Sequence, residues 1–498
     1  MDLSKELQHP VFSILSDLSR EEGTDCYVIG GYVRDLLLFG SGSKPKDIDI
    51  LVIGSGIDMA RKVRSAIRGK ASLSVFRSFG TAMLKWGDTE IEFVGARKES
   101  YRNDSRKPLV EDGTLEDDQK RRDFTINALA IDLKPERFGR LLDPFDGQTH
   151  LKEKRIRTPL EPGRTFSDDP LRMLRGIRFA ARLEFRIDPD ILDAMREHRE
   201  RIAIVSQERI TEELNKILLC RKPSIGFMLL EKTGLLSILL PDLDRMKGVE
   251  EVSGQFHKDN FLHTLEVVDN IAEKTDDLWL RWSALLHDIA KPRTKRFEEG
   301  IGWTFHGHEF LGAKMIPSLF RKLKLPLDDR MKYVQKLVQL HLRPIVLSQE
   351  VVSDSAVRRL IYDAGDDLED LMTLCEADIT SKNEYTVRKH LKNFQIVREK
   401  MVDLEARDSI RNFQPPVSGD DIQKAFGIEP SRPIGIIKEA IKEAILEGEI
   451  SNTREAAIRK MREEGKKLGL TFQAEAFERE NPSPDPGDAG PEPAAGDR

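Results

Sequence analysis

The residues with the clearest chemical potential are two aspartates one position apart. Asp47 and Asp49 flank Ile48 in the run DIDILVI. In a strand, the period of two places both carboxylates on one face with α-carbons roughly 6–7 Å apart. Such a pair can hold two divalent cations about 3.5–4 Å apart, one activating an attacking hydroxyl and the other neutralising a leaving pyrophosphate. Upstream, Gly30-Gly31 follows an apolar run and opens a helix. Glycines there permit a close backbone approach, and the free N–H groups of a helix start suit phosphate oxygens. Arg34 lies one turn further on, within reach of the same phosphates. Glu92, in TEIEFVGAR, is the candidate third carboxylate. A lone Asp-x-Asp is commonly a solvated strand face; the succession strand, Gly-Gly, helix, strand, Asp-x-Asp is far more specific.

A second constellation lies later. Seven of the ten histidines follow residue 250, in HKDNFLHTLEVV, SALLHDIAKP, WTFHGHEFLGA, VQLHLRP and VRKHLKN. The adjacent His287-Asp288, in an apolar helical run, can face one cation, with His263 one helix earlier and Asp378 much later. His308 and His341 could serve a second metal. Mixed His/Asp ligands suit Mn, Ni, Fe, Zn or Mg, and a bound water would be the nucleophile for phosphate-ester hydrolysis.

These groups need elements to hold them. The spacing predicts strands over Asp25–Ile29 and Asp47–Ile53, with helices over Tyr32–Phe39 and Asp58–Gly69. Leu73–Arg77, Thr81–Trp86 and Glu90–Val94 alternate with turn residues, as in an antiparallel meander. Residues 98–120 are polar with little periodicity and read as a mobile, irregular segment. After about Gly163, apolar residues recur at helical spacing, as in Leu171/Leu174/Ile177 and Ile210/Leu214/Ile217. Residues 414–457 predict a short helix, a Pro/Gly turn and an amphipathic helix, with Asn452 or Thr453 capping another. The last residues, NPSPDPGDAGPEPAAGDR, cannot form a core and predict a disordered acidic tail.

Composition agrees with a globular chain of several domains. There are 498 residues, and 80 Lys+Arg against 86 Asp+Glu leaves a formal charge of −6, which argues against indiscriminate nucleic-acid coating. With 39% hydrophobic and 33% charged residues, neither a membrane protein nor a wholly disordered chain fits. The start has no signal-peptide pattern. Three scattered cysteines exclude a disulfide framework or thiolate zinc site. The expectation is a soluble, cytoplasmic protein with no membrane or stable protein partner.

Four motifs stand in order: GGYVRD at 30–35, DID at 47–49, RRDFTINALAID at 121–132 and DDPLRMLRGIRFAARL at 168–183. Over roughly residues 20–240 the chain resembles the class II tRNA nucleotidyltransferase and bacterial poly(A) polymerase group of the DNA polymerase beta superfamily. The resemblance implies an α/β head with a mixed, mostly antiparallel sheet, followed by all-α domains. It implies that Asp47 and Asp49 bind catalytic Mg²⁺, and that Gly30, Gly31, Arg34 and Asp35 shape a triphosphate site. Arg122, Asp123 and Asn127 would be nucleotide-site residues. The order H…HD…D likewise resembles the HD phosphohydrolase superfamily, which implies an HD domain with a second divalent metal. Expected boundaries are 1–150 for the head, 151–245 for a template and neck domain, 246–400 for the HD-type domain, 401–478 for a tRNA-binding helical region and 479–498 for the tail.

The last of the four motifs permits an argument from chemistry. Asp169 and Arg172 are three apart in a helical stretch, so their side chains would share a face. A carboxylate offers only acceptors and a guanidinium only donors. Cytosine and adenine each present an amino donor beside a ring-nitrogen acceptor, whereas guanine and uracil reverse the order. The pair therefore complements C and A, and mismatched buried groups can reject a substrate by about 10⁴-fold. The family usually has Glu where Asp168 stands. Arg175 and Arg178 serve the triphosphate or helix packing. The segment 98–120, with Arg102, Asp104 and Arg106, is the expected lever for switching from C to A. The basic stretch around Lys382, Arg388, Lys389 and Lys392 and the C-terminal helices would meet tRNA phosphates. The function expected is addition of CCA to tRNA from CTP and ATP. The rivals are poly(A) polymerase, CC-only or A-only addition, an HD phosphohydrolase with a degenerate head, and a non-catalytic RNA-binding adaptor. The acidic tail favours tRNA over poly(A) synthesis.

Overall fold

A computed structural model describes residues 1–40, 47–102, 105–252, 255–256, 259–347, 353–380, 384–408, 411 and 413–473. Two compact units divide after Gln335. The tail at 479–498, Asp104 and Lys382 lie outside the described residues, as do the side chains of Arg102 and Arg106. Among the described residues, no helix is long and apolar enough to cross a membrane.

The first unit opens with helix α1 (Pro10–Glu22), strand β1 (Cys26–Ile29), α2 (Gly31–Phe39), β2 (Asp47–Val52) and α3 (Gly56–Ala66). Strands β3 (Ser72–Phe76), β4 (Thr81–Trp86) and β5 (Thr89–Gly95) follow. Next come β6 (Arg97–Arg102), β7 (Ser105–Asp112), α4 (Leu115–Lys120), β8 (Ala130–Asp132) and β9 (Leu141–Leu142). A seven-stranded sheet runs β3-β4-β5-β2-β1-β8-β9. Its pairs are antiparallel except β2 with β5. Tyr27, Ile29, Leu51, Ala96 and Ala130 form one buried cluster, with Ile53, Leu115 and Leu142 packed against it. Each fully buried aliphatic side chain of such a cluster contributes about 1.5–3 kcal/mol.

The expected irregular segment at 98–120 is corrected. The backbone of β6 pairs antiparallel with β7 in a separate two-stranded ribbon, and α4 follows. A ribbon pairs through its backbone and needs no apolar face, so polar side chains conceal it from periodicity. Thr114 and Asp117 form a capping box that starts α4.

The rest of the unit is mainly helical, beginning with α5 (Gly147–Lys152), α6 (Pro162–Asp168) and α7 (Leu171–Leu183). Further on, helix Asn260–Ala272 is capped by Asp259, and Leu278–Leu286 by Asp277. A short hairpin pairs Arg296–Glu298 with Gly302–Thr304 ahead of helix His308–Lys322. The second unit is built of helices, among them Leu368–Asp378, Glu384–Asp408, Gly419–Phe426 and Arg432–Glu447. Thr453, of the two candidate caps, accepts from the Ala456 N–H and starts helix Arg454–Lys467.

Candidate functional site

The parallel pair assembles the acidic face. Asp49 stands opposite Glu92, and Asp47 opposite Glu90, in the β2–β5 register. Alternation keeps Ile48 and Ile50 fully buried while Asp47 is exposed and Asp49 half-buried. Partners in register project to the same side, so Asp47, Asp49 and Glu92 share one face. Burial and the neighbouring Asp47 charge push the Asp49 carboxyl above its usual range, against the pull of Arg122 and Arg175. Burial and Asp49 push Glu92 up in the same way. An all-oxygen set of crowded carboxylates fits a hard divalent cation, whose charge relieves that repulsion.

Beside this face, β1 ends at Ile29, which pairs with Asp49. Gly30 then takes φ 74°, in the left-handed region that favours glycine. A Cβ there would lie 3.1 Å from both Arg122 Nη1 and Asp49 Oδ2, so Gly30, Asp49 and Arg122 converge on one spot. Gly31 begins α2, and Arg34 is buried on its first turn. Arg34 Nη1 donates to Asn127 Oδ1 at 2.8 Å and its Nε to Asp35 Oδ1 at 2.7 Å. Asn127 Nδ2 in turn donates to Asp123 Oδ1 at 3.0 Å. Arg175 closes the chain, with Nε 2.6 Å from Asp123 Oδ2. Burial alone would raise the Asp123 carboxyl, but Arg175, the Asn127 hydrogen bond and Arg172 bring it to about 2. Phe179 sits under three guanidiniums, with Arg34, Arg175 and Arg178 at 5.1, 5.6 and 4.2 Å from its ring centre. Arg178 donates from Nε to Glu213 Oε2 at 2.6 Å, a buried pair between helices.

Asp169 and Arg172 do not sit in one continuous helix. Asp169 is extended at the break between α6 and α7, with its Oδ1 accepting from the Leu171 N–H at 3.2 Å. The cause is Pro170, since a proline disfavours the helical conformation of the residue before it. Arg172, nearly buried, donates from Nη2 to the Arg121 carbonyl at 2.6 Å and from Nη1 to the Thr165 carbonyl at 3.4 Å. These bonds use two of its five donors. Sequence reasoning passed over Asp118, whose carboxylate is fully buried against Arg121 and Arg122. The available signal was spacing: the two arginines stand at i+3 and i+4 from it.

The second cluster forms where helix Leu278–Leu286 ends. His287 and Asp288 lie in the turn that follows the helix. Asp288, 1% exposed, has His287 Nε2 and His308 Nε2 each at 3.2 Å, and His263 Nε2 at 3.7 Å. His287 Nδ1 lies 2.8 Å from the Ala284 carbonyl, and His308 Nδ1 2.8 Å from that of Phe305. A carbonyl only accepts, so Nδ1 holds a proton and Nε2 is the nitrogen turned to the carboxylate. Two acceptors that face each other need a proton or a metal ion between them, and this His/Asp set fits a divalent ion. Lys291 Nζ also reaches Asp288 Oδ2 at 2.6 Å. Although burial alone would raise it, the Asp288 carboxyl is held well below its usual range by His287 and Lys291. In the second unit, His341 is buried with Nδ1 2.7 Å from the Val338 carbonyl, and Asp378 is the last residue of helix Leu368–Asp378. Arg388, Lys389 and Lys392 are exposed on helix Glu384–Asp408.

Three family models match successive segments: the poly A polymerase head domain over residues 26–157, the probable RNA and SrmB-binding site of polymerase A over 184–247, and the HD domain over 260–383. The A-adding tRNA nucleotidyltransferase of Deinococcus radiodurans is 31% identical over 441 residues, 86% of this chain and 93% of the relative. The multifunctional CCA protein of Pseudomonas fluorescens Pf-5 is 34% identical over 312 residues, 60% of this chain and 70% of the relative. Among solved structures, a CCA-adding enzyme in complex with CTP aligns with a TM-score of 0.61 at 25% identity, covering 95% of this chain and 99% of that one.

Proposed function

Since the chain belongs to the family of tRNA nucleotidyltransferases and poly(A) polymerases, we propose that it adds C, C and A to tRNA 3′ ends from CTP and ATP. The tRNA 3′-hydroxyl oxygen forms a bond to the α-phosphorus, the bond from that phosphorus to the bridging oxygen breaks, and pyrophosphate leaves. The observation that carries the reading is the β2–β5 register that sets Glu92 beside Asp49, next to Gly30 and Arg122.

Asp47 and Asp49, with Glu92 beside them, would hold divalent cations, Mg²⁺ in this reading, whose chemistry when bound is activation of the hydroxyl and neutralisation of the leaving pyrophosphate. Gly30 and Gly31 leave the room at the start of α2 that a triphosphate needs, and its free N–H groups meet phosphate oxygens. Arg122 adds a fixed positive charge at the same spot. Arg34 and Arg175, locked through Asn127 and Asp123, give that pocket a rigid cationic wall. Asp169 and Arg172 read the base, accepting from its amino group and donating to its ring nitrogen.

The test is a tRNA lacking its 3′ end, incubated with each nucleotide separately and together. Two C residues from CTP, then one A once ATP is present, is the expected product. Long A tracts would replace this reading with poly(A) synthesis, and no extension would overturn it. The His263, His287, Asp288 and His308 cluster favours a second activity, phosphate-ester hydrolysis with a divalent metal. In the same preparation, metal-dependent phosphodiesterase activity is expected to disappear in Asp288→Ala; activity that survives removes the cluster from that role.

A further inference from the structure

The carboxylate of Asp118 is completely buried, a costly place for a charge unless its partners are good. Its partners are consecutive arginines that face different parts of the site. Oδ1 accepts from Arg121 Nε at 2.9 Å and from Arg121 Nη2, and Oδ2 accepts from Arg122 Nε at 3.0 Å. Burial alone would raise this carboxyl, but Arg122 and Arg121 outweigh it and hold it below its usual range.

The far ends of both arginines lead into the nucleotide site. Arg122 Nη1 donates to the Asn127 carbonyl at 3.2 Å and fills the space beside Gly30, next to Asp49. The backbone carbonyl of Arg121 accepts from Arg172 Nη2 at 2.6 Å. Helix α4, which carries Asp118, is itself pinned: the capping box fixes its start, and the Gln119 amide donates to the Ala128 carbonyl at 2.7 Å.

We infer that Asp118 is a positioning residue for nucleotide binding, a buried tether that aims Arg122 at the triphosphate end and sets the Arg121 carbonyl that orients Arg172 at the base end. The inference rests on the nucleotidyl-transfer reading above. Asp118 touches no substrate; it acts through the two arginines. Without its charge, Arg122 keeps only the Asn127 carbonyl of these anchors and can swing away from the phosphates. Arg172 at the same time loses a fixed acceptor, so discrimination among bases weakens.

The test is steady-state addition to tRNA lacking its 3′ end, with the parent chain measured alongside. Asp118→Asn, nearly isosteric, is expected to raise KM for CTP and ATP by about ten- to a hundredfold while kcat changes much less. It is also expected to narrow the preference for CTP and ATP over UTP and GTP. In an Arg122→Ala background the same change should raise KM by much less than it does in the parent, because the Arg122 arm is already gone and only the Arg121 arm remains. Unchanged KM and base preference in a variant that melts like the parent overturns the tether, as does full additivity with Arg122→Ala. If Asp118→Asn melts early, Asp118→Glu, which keeps the charge and moves it by one methylene, carries the same KM test. Absence of extension by the parent chain would remove the transfer reading itself, an outcome distinct from failure of the tether.

Discussion

The acidic face of β2 and β5 and the His–Asp cluster behind helix Leu278–Leu286 both centre on carboxylates withdrawn from water, and they balance them in opposite ways. On the sheet, burial and like charge act together, and Asp49 and Glu92 are pushed up. In the cluster, the pull of His287 and Lys291 exceeds the effect of burial, and Asp288 is held down. The first arrangement is strained until positive charge arrives from outside. The second already contains a cation of its own in Lys291. The difference follows from the elements. Paired strands bring equivalent positions side by side, so carboxylates meet carboxylates, whereas a helix end brings unlike residues from i−1 and i+3 onto one acid.

That contrast can be broken at three strengths. The largest effect is expected from Asp49→Asn: nucleotide addition should fall by about 10³-fold or more. The metal-free protein should melt no lower than the parent, since a repulsion has been removed. A clear drop in melting temperature would mean that Asp49 is a compensated structural group, and the comparison would fail. Next, Lys291→Met in the Asp49→Asn background should tighten Mn²⁺ binding by about tenfold in titration calorimetry, because the ammonium no longer competes for Asp288. Unchanged or weaker binding would show that the lysine does not neutralise that carboxylate in solution.

The smallest effect sharpens the rule within the head, where Asp123 is compensated like Asp288. Its value of about 2 lies below the usual 3.8, so its stabilisation is complete above the unfolded value. It is lost as pH falls from about 4 towards 2. Asp123→Asn should cost about 2 kcal/mol at neutral pH, with the gap in denaturant midpoint closing below about pH 4. A gap independent of pH would assign the loss to packing.

Legibility in the chain followed the same physics. Alternation in DIDILV exposed β2, because one face is buried and the other carries acid. The Gly-Gly turn was readable because Gly30 needs its positive φ. Ribbon β6–β7 was not, since RKESYR and SRKPLVED are mostly polar in sequence and show no sustained period of two. Asp169 was misplaced inside a helix that Pro170 interrupts, and the proline itself was the available sign. Asp118 stayed hidden in the acidic run EDD, where one buried carboxylate looks like its solvated neighbours. The partners of Arg178 and Arg175 could not be chosen from spacing either, for Glu213 and Asp123 are distant in sequence and adjacent only after folding.

Three glycines close to the acidic face have a further consequence. A Cβ on Gly95 would stand 2.6 Å from the Gly54 carbonyl oxygen, and one on Gly56 would stand 2.9 Å from the Gly95 nitrogen. Chain against chain at that distance, just past the end of β2 and at the last residue of β5, works as a mechanical stop. Either strand sliding by a single residue would turn its side chains over and send Glu92 to the far side of the sheet from Asp49. The alignment of the acids is thus gauged by a crossing that has no side chain at all, and any bulk introduced there would be felt as a misaligned metal site several residues away.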